Sequence, residues 1–176
     1  MHEVDTEAAI GRLMRFLAVP GVTGRESLIA ADVAAALKEA GVPAKAIRLD
    51  DANKRIPVPT ETGNLIVDLP GRGAMHNQPR ILFMTHMDTV PLCAGAKPRI
   101  DGKRIVNDAK TALGGDNRTG CAVLVTLMAE MPEEASEASK AMGTSCWTTL
   151  LLGPLAMMRP RAPFCRATMA LCRRLA

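Results

Sequence analysis

Apolar residues run unbroken from Ile81 to Met84, and a histidine and an aspartate, His86 and Asp88, stand directly beyond them. Such a run reads as a buried strand, and residues two apart at its carboxyl end share one face. The strand therefore delivers an imidazole and a carboxylate to the same place. A nearby carboxylate takes the proton on one ring nitrogen, fixes the tautomer and leaves the other nitrogen as a metal ligand. Asp116 follows where Gly114 and Gly115 open an apolar stretch with helical spacing. Ring nitrogens and carboxylates together suit zinc or a similar divalent ion. Each residue also has a plainer reading: His86 as a structural histidine, Asp88 as an Asx turn ahead of Pro91, and Asp116 as a helix N-cap.

Upstream of the strand the chain alternates helical and extended signals. Ile10, Leu13, Met14 and Leu17 predict an amphipathic helix over Asp5 to Ala18, capped by Asp5 or Thr6. Pro20, Gly21 and Gly24 break it. Thr23 and Glu26 have capping-box spacing for a second helix with the stripe Ile29, Val33 and Leu37 and a stop at Gly41. Ala46 to Leu49 and the alternating stretch Asn64 to Leu69 predict two strands. The Gly71-Arg72-Gly73 sequence is a turn, because it lacks the third glycine and the following helix of a phosphate loop. Lys97 to Val106 predicts a hairpin turning at Asp101-Gly102, which returns the chain so that Asp116 lies near His86. Cys121 to Met131 predicts a helix with Val123, Leu127 and Met131 on one stripe.

Taken together, H-M-D-T-V-P and L-G-G-D-N-R-T-G, with V-P-G-V-T-G-R-E and T-G-N-L-I-V-D-L-P-G upstream, resemble a known family. They look like the co-catalytic zinc peptidases of the aminoacylase and carboxypeptidase clan, most like its tripeptidase (peptidase T) branch. The likeness covers Thr6 to Met131. It implies that His86 binds one of two zinc ions, that Asp116 bridges both, and that Asp88 orients His86 as the catalytic-site carboxylate. The resemblance also implies a short peptide as substrate. Beyond this point such enzymes continue into a strand ending in a Glu-Glu pair, one glutamate acting as general base, and later add further ligands. Glu133 and Glu134 are adjacent but follow Pro132 with no strand signal before them, so the role is not carried over. His2 and His76 match no family position.

The sequence changes character after Met131. Lys140, Arg159, Arg161, Arg166, Arg173 and Arg174 give +6 between Ala138 and Ala176, where there is no acid, against +4 for the whole chain. Residues 132–176 thus form an atypical basic tail, and the abrupt loss of acids and periodicity leads to the expectation of a shifted reading frame or a disordered stretch; the alternative is a genuine extension in which Thr148 to Met158 packs as a short apolar helix or strand, with Gly153-Pro154 breaking any long helix. The arginines are interleaved with prolines, methionines and cysteines, without lysine clusters or clean helical amphipathicity, which argues against nucleic acid, and no apolar run is long enough to cross a bilayer. There is no secretory leader pattern, and the five cysteines form no C-x-x-C pair. A cytoplasmic protein with reduced thiols is expected. With no tyrosine and only three phenylalanines, its core must be aliphatic and methionine-rich.

The fold expected is α/β, an incomplete three-layer α/β/α zinc-peptidase catalytic domain with a mixed sheet, spanning residues 1–131. Its function is expected to be hydrolysis of short peptides by a metal-activated water. The alternative is an inactive remnant that binds a single metal weakly, because His86 and Asp116 alone leave most coordination positions to water.

Overall fold

The computed structural model describes residues 4–69, 81–131 and 148–153. In chain order the elements are α1 (Thr6–Ala18), α2 (Ser27–Glu39), β1 (Ile47–Leu49), β2 (Leu65–Leu69), β3 (Ile81–His86), β4 (Pro98–Asp101), β5 (Arg104–Asn107), α3 (Gly115–Glu130) and β6 (Thr148–Gly153). Outside the described residues lie His2, His76, the Gly71-Arg72-Gly73 turn, Glu133, Glu134 and the basic tail apart from β6.

The first helix begins as its sequence dictates: the Asp5 side chain accepts from the Ala8 amide at 2.9 Å. Its buried face differs from the expected stripe. Phe16 and Leu17 are buried while Ile10 is exposed, because α1 packs along α3 as well as toward α2. In α2 the stripe holds, and Ile29, Val33 and Leu37 are fully buried. Its end comes at Gly41, whose φ of +85° suits a residue without a β-carbon. The expected capping box is not formed: Glu26 is the residue before the helix, and it makes no side-chain cap bond. Glu26 and Thr23 are engaged elsewhere.

Four strands make a mixed sheet in the order β1-β2-β6-β3. β1 and β2 are antiparallel, β2 and β6 are antiparallel, and β6 runs parallel to β3. The strand between β2 and β3 therefore comes from beyond Met131, the boundary drawn from the sequence. Two expectations for this sheet change. β2 does not alternate, since Leu65, Ile66 and Val67 are all buried. Nor is β3 buried along its length: Ile81 and Phe83 remain exposed, and only Thr85 and His86 at its carboxyl end are covered. The reason is position, since β3 is an edge strand of the described sheet and α3 reaches its far end.

The β4–β5 hairpin pairs Asp101 with Arg104, so the turn is Gly102-Lys103, one residue later than expected. Gly102 takes a φ of +57° there. The hydrophobic core joins Phe16 and the α2 stripe to Leu65 and Val67 of β2, to Met87, and to Cys121, Val125 and Met128 of α3. Among the described residues no helix is long and apolar enough to cross a membrane.

Candidate metal centre

His86 sits at the last position of β3 and Asp88 two residues on, where the chain leaves the sheet. Asp88 is fully buried and His86 is 8% exposed. The ring Nδ1 lies 3.0 Å from the Asp88 backbone oxygen and 3.4 Å from its carboxylate. Both partners are acceptors, so Nδ1 carries a proton, and a metal would take the other nitrogen, Nε2. On that side stands Asp116, with Oδ1 at 3.2 Å from Nε2. Burial works against the imidazolium, but the bonds and charge of Asp88, with Asp116, outweigh it and hold the His86 pKa above its ordinary value.

Asp116 reaches this point because α3 does not start as a regular helix. Its φ, ψ of −90°, 104° and those of Asn117, −124°, 41°, are non-helical. The Asn117 side chain accepts from the Gly120 amide at 2.9 Å, so Asn117 caps the regular part of the helix. Asp116 is thereby released from capping and its side chain is almost fully exposed. Gly120 must be glycine: a β-carbon would lie 2.3 Å from Thr85 Oγ1. That contact seats the helix start against β3, beside His86.

The Val19–Gly24 loop closes over the other side of Asp88. Thr23 Oγ1 donates to Asp88 Oδ2 at 2.5 Å. The Thr23 amide donates to Thr89 O at 2.9 Å and the Thr89 amide to Gly21 O at 3.0 Å. Glu26, fully buried, accepts from the amides of Gly24 and Glu61. Burial pushes its carboxyl pKa up, those two amide bonds oppose the shift, and the charge of Asp88 adds to it. Arg118, 2% exposed, donates to Phe16 O at 2.9 Å and Gly21 O at 3.1 Å. A β-carbon on Gly21 would lie 2.8 Å from that guanidinium and 2.5 Å from Ile29. Cys121 donates to His86 O at 3.4 Å, and burial pushes its thiol up to about 12.

Thr23, Glu26 and Arg118 are site-supporting residues that the sequence reading did not assign to the site. Thr23 pairs across 65 positions, and its local spacing to Glu26 mimics a cap. A cleft of about 340 Å³ opens beside the same loop, lined by Gly21, Thr89, Cys93 and Arg118. His86, Asp88 and Asp116 do not line it, so it is not the seat of chemistry at the imidazole.

Nε2 and the Asp116 carboxylate converge at 3.2 Å, so two donors suit a divalent ion. Among the described residues no group of three such side chains converges. The arrangement is half of a coordination shell.

No protein-family model matches the sequence, and no curated protein matches it either. Solved structures do. A tripeptidase from Staphylococcus aureus aligns at TM-score 0.66 and 19% identity, over 85% of this chain and 36% of its own. The aminopeptidase PepT from Bacillus cereus aligns at TM-score 0.67 and 24% identity, over 85% and 36%. The chain shares their fold in part. An aminoacylhistidine dipeptidase from Vibrio alginolyticus aligns at TM-score 0.56 and 19% identity, over 85% of this chain and 28% of its own. This chain thus spans about a third of the peptidase structures it resembles, in keeping with the partial resemblance of its motifs.

Proposed function

We propose that this chain carries the amino-terminal half of a zinc-dependent exopeptidase site for short peptides, of the tripeptidase-like aminopeptidase kind. The observation that carries the reading is the line Asp88–His86–Asp116, with Nδ1 held by Asp88 and Nε2 facing Asp116 at 3.2 Å. The likeness to tripeptidase and aminopeptidase structures supports it. His86 and Asp116 would hold the metal, with two ions in the complete site. Bound zinc supplies a water of lowered pKa and polarises a carbonyl. Of the chain's own residues, His86 would offer Nε2 to the metal, Asp88 keeps the proton on Nδ1, and Asp116 supplies the anionic partner. The third layer of an α/β/α sandwich and a cytoplasmic location belong to the same reading.

A second reading has its own observation. Gly153 of β6 pairs alongside His86, and the residues that follow it in sequence, Pro154 and Leu155, carry no carboxylate. A strand end parallel to β3 is where a general base would be placed. This favours a reduced site that binds one metal without turnover.

Zinc titration and peptide hydrolysis, run on the full chain and on His86→Ala, test both readings. The exopeptidase reading expects zinc retained through dialysis, cleavage of a tripeptide with a free amino terminus, and loss of both in H86A. Zinc that H86A retains equally overturns the site. Binding that is lost in H86A and reversed by dialysis, without cleavage, establishes the reduced site.

A further inference from the structure

We infer that Arg118 is a positioning residue for Asp116, holding the start of α3 so that the Asp116 carboxylate faces His86; the inference rests on the His86–Asp116 site proposed above. Nothing in Asp116 itself fixes its place. Its side chain is 94% exposed, its backbone angles are non-helical, and the contact it makes is the one to be explained, Oδ1 to His86 Nε2 at 3.2 Å. The cap from Asn117 to the Gly120 amide sets the turn only within α3. The close fit of Gly120 against Thr85 carries no bond, since Thr85 Oγ1 has no hydrogen-bond partner among the described residues. Apart from the bond of Asp116 itself, the hydrogen bonds that tie residues 114–120 to other elements, among the described residues, are both made by Arg118.

Those two bonds lead to the segment that carries the other ligand. Nη1 donates to Phe16 O at 2.9 Å, in the last turn of α1, where helix carbonyls have no intrahelical donor. Nη2 donates to Gly21 O at 3.1 Å, and the same oxygen accepts from the Thr89 amide at 3.0 Å. One carbonyl thus joins the start of α3 to the stretch that follows His86. The planar guanidinium reaches both carbonyls at once because its donors sit in a fixed fork. It is 2% exposed and both partners are neutral. Burying a cation on such partners costs stability, and an apolar chain of similar length in its place is often neutral or stabilising. Arg118→Met therefore cuts the two tethers and keeps the packing, while Gly21 O retains the Thr89 amide. Supporting residues of this kind change metal affinity by about 10- to 100-fold when removed.

The test uses the full-length wild type, R118M and Arg118→Lys, each alone and combined with Asp116→Ala, with a thermal melt to verify folding. The first readout is the zinc dissociation constant by competition with a chromophoric chelator. R118M should bind about tenfold more weakly than wild type, and R118K, which keeps a buried donor for these carbonyls, should stay within about threefold. Once Asp116 is alanine, R118M should cost nothing further. A tenfold loss that persists in the D116A background overturns the inference, because Arg118 then acts through His86 or the fold at large. The second readout needs no metal: the ring nitrogen and carbon chemical shifts of His86 at one pH, assigned by their loss in H86A. D116A defines the signals of a ring without its carboxylate neighbour. R118M should move to the D116A position, with no further change in the double variant, and R118K should stay near wild type. R118M signals that superimpose on wild type, or that move elsewhere, overturn the inference. If D116A binds zinc too weakly to measure, the ring signals decide. If wild type itself binds no zinc, the proposed function fails, and the same signals still decide the role of Arg118. Arg118→Leu replaces R118M if the methionine variant does not melt cooperatively.

Discussion

Glu26 shows how a single residue can be read correctly for type and wrongly for role. Its spacing from Thr23 suggests a helix cap, yet the side chain turns inward and serves two amides, Gly24 and Glu61, from a fully buried position. Burial raises its pKa, with Asp88 adding to the shift. The sign for stability follows from the proton count. A carboxyl whose folded pKa is raised binds more protons folded than unfolded, so stability falls as pH rises from the free glutamate value of about 4.3 to the folded value. Glu26→Gln removes that slope. It also leaves only one oxygen for two amide donors, which costs about 1 kcal/mol at every pH. Urea unfolding from pH 4 to 7 should therefore give E26Q a lower stability at acid pH and a flatter profile than wild type. An unchanged slope would show that another group titrates in this window.

At the scale of elements, legibility tracked the range of the interactions involved. α2 is readable because Ile29, Val33 and Leu37 repeat at helical spacing and Gly41 stops it, all local signals. α1 is half readable: its cap is local, but the choice between Ile10 and Phe16 as the buried residue depends on where α3 lies. Ile10, Val123 and Leu127 instead line an apolar groove of about 420 Å³ between α1 and α3. His86, Asp88 and Asp116 were legible as a set because strand, hairpin and helix start are sequential, and the described structure brings Asp116 to His86. The place of β6 was not legible, since nothing in Thr148 to Gly153 tells which two strands it separates. Its central position nonetheless gives a sharp expectation. Leu151 pairs with Ile66 on one side and Met84 on the other, and a central strand cannot give up a backbone donor. Leu151→Pro should abolish the cooperative thermal transition, whereas the same change at exposed Val58, outside any strand, should shift it by little.

For the whole molecule the decisive fact is that, among the described residues, β6 stands between β2 and β3 in the sheet. Leu65 pairs with Leu152 and Ile81 with Thr148, so the sheet closes across long stretches of chain. Such contacts repay their loop-closure entropy late, and a sheet built on them folds slowly. Removing β6 would leave the β1–β2 pair on one side and an isolated β3 on the other, with backbone donors and acceptors of both strands unpaired. An isolated two-stranded pair is marginal in water, and β3 already exposes Ile81 and Phe83. His86 and Asp88 hang from the end of that same strand, so the candidate metal site depends on a segment far from it in sequence. A polypeptide ending at Met131 is therefore expected to lose the single thermal transition of the full chain, to bind a dye for exposed apolar surface, and to lose zinc retention together with the fold. Calorimetry on the two lengths side by side checks this. A 1–131 polypeptide that melts cooperatively near the full-length temperature would show that α1, α2 and α3 with their core hold β3 in place without its neighbour.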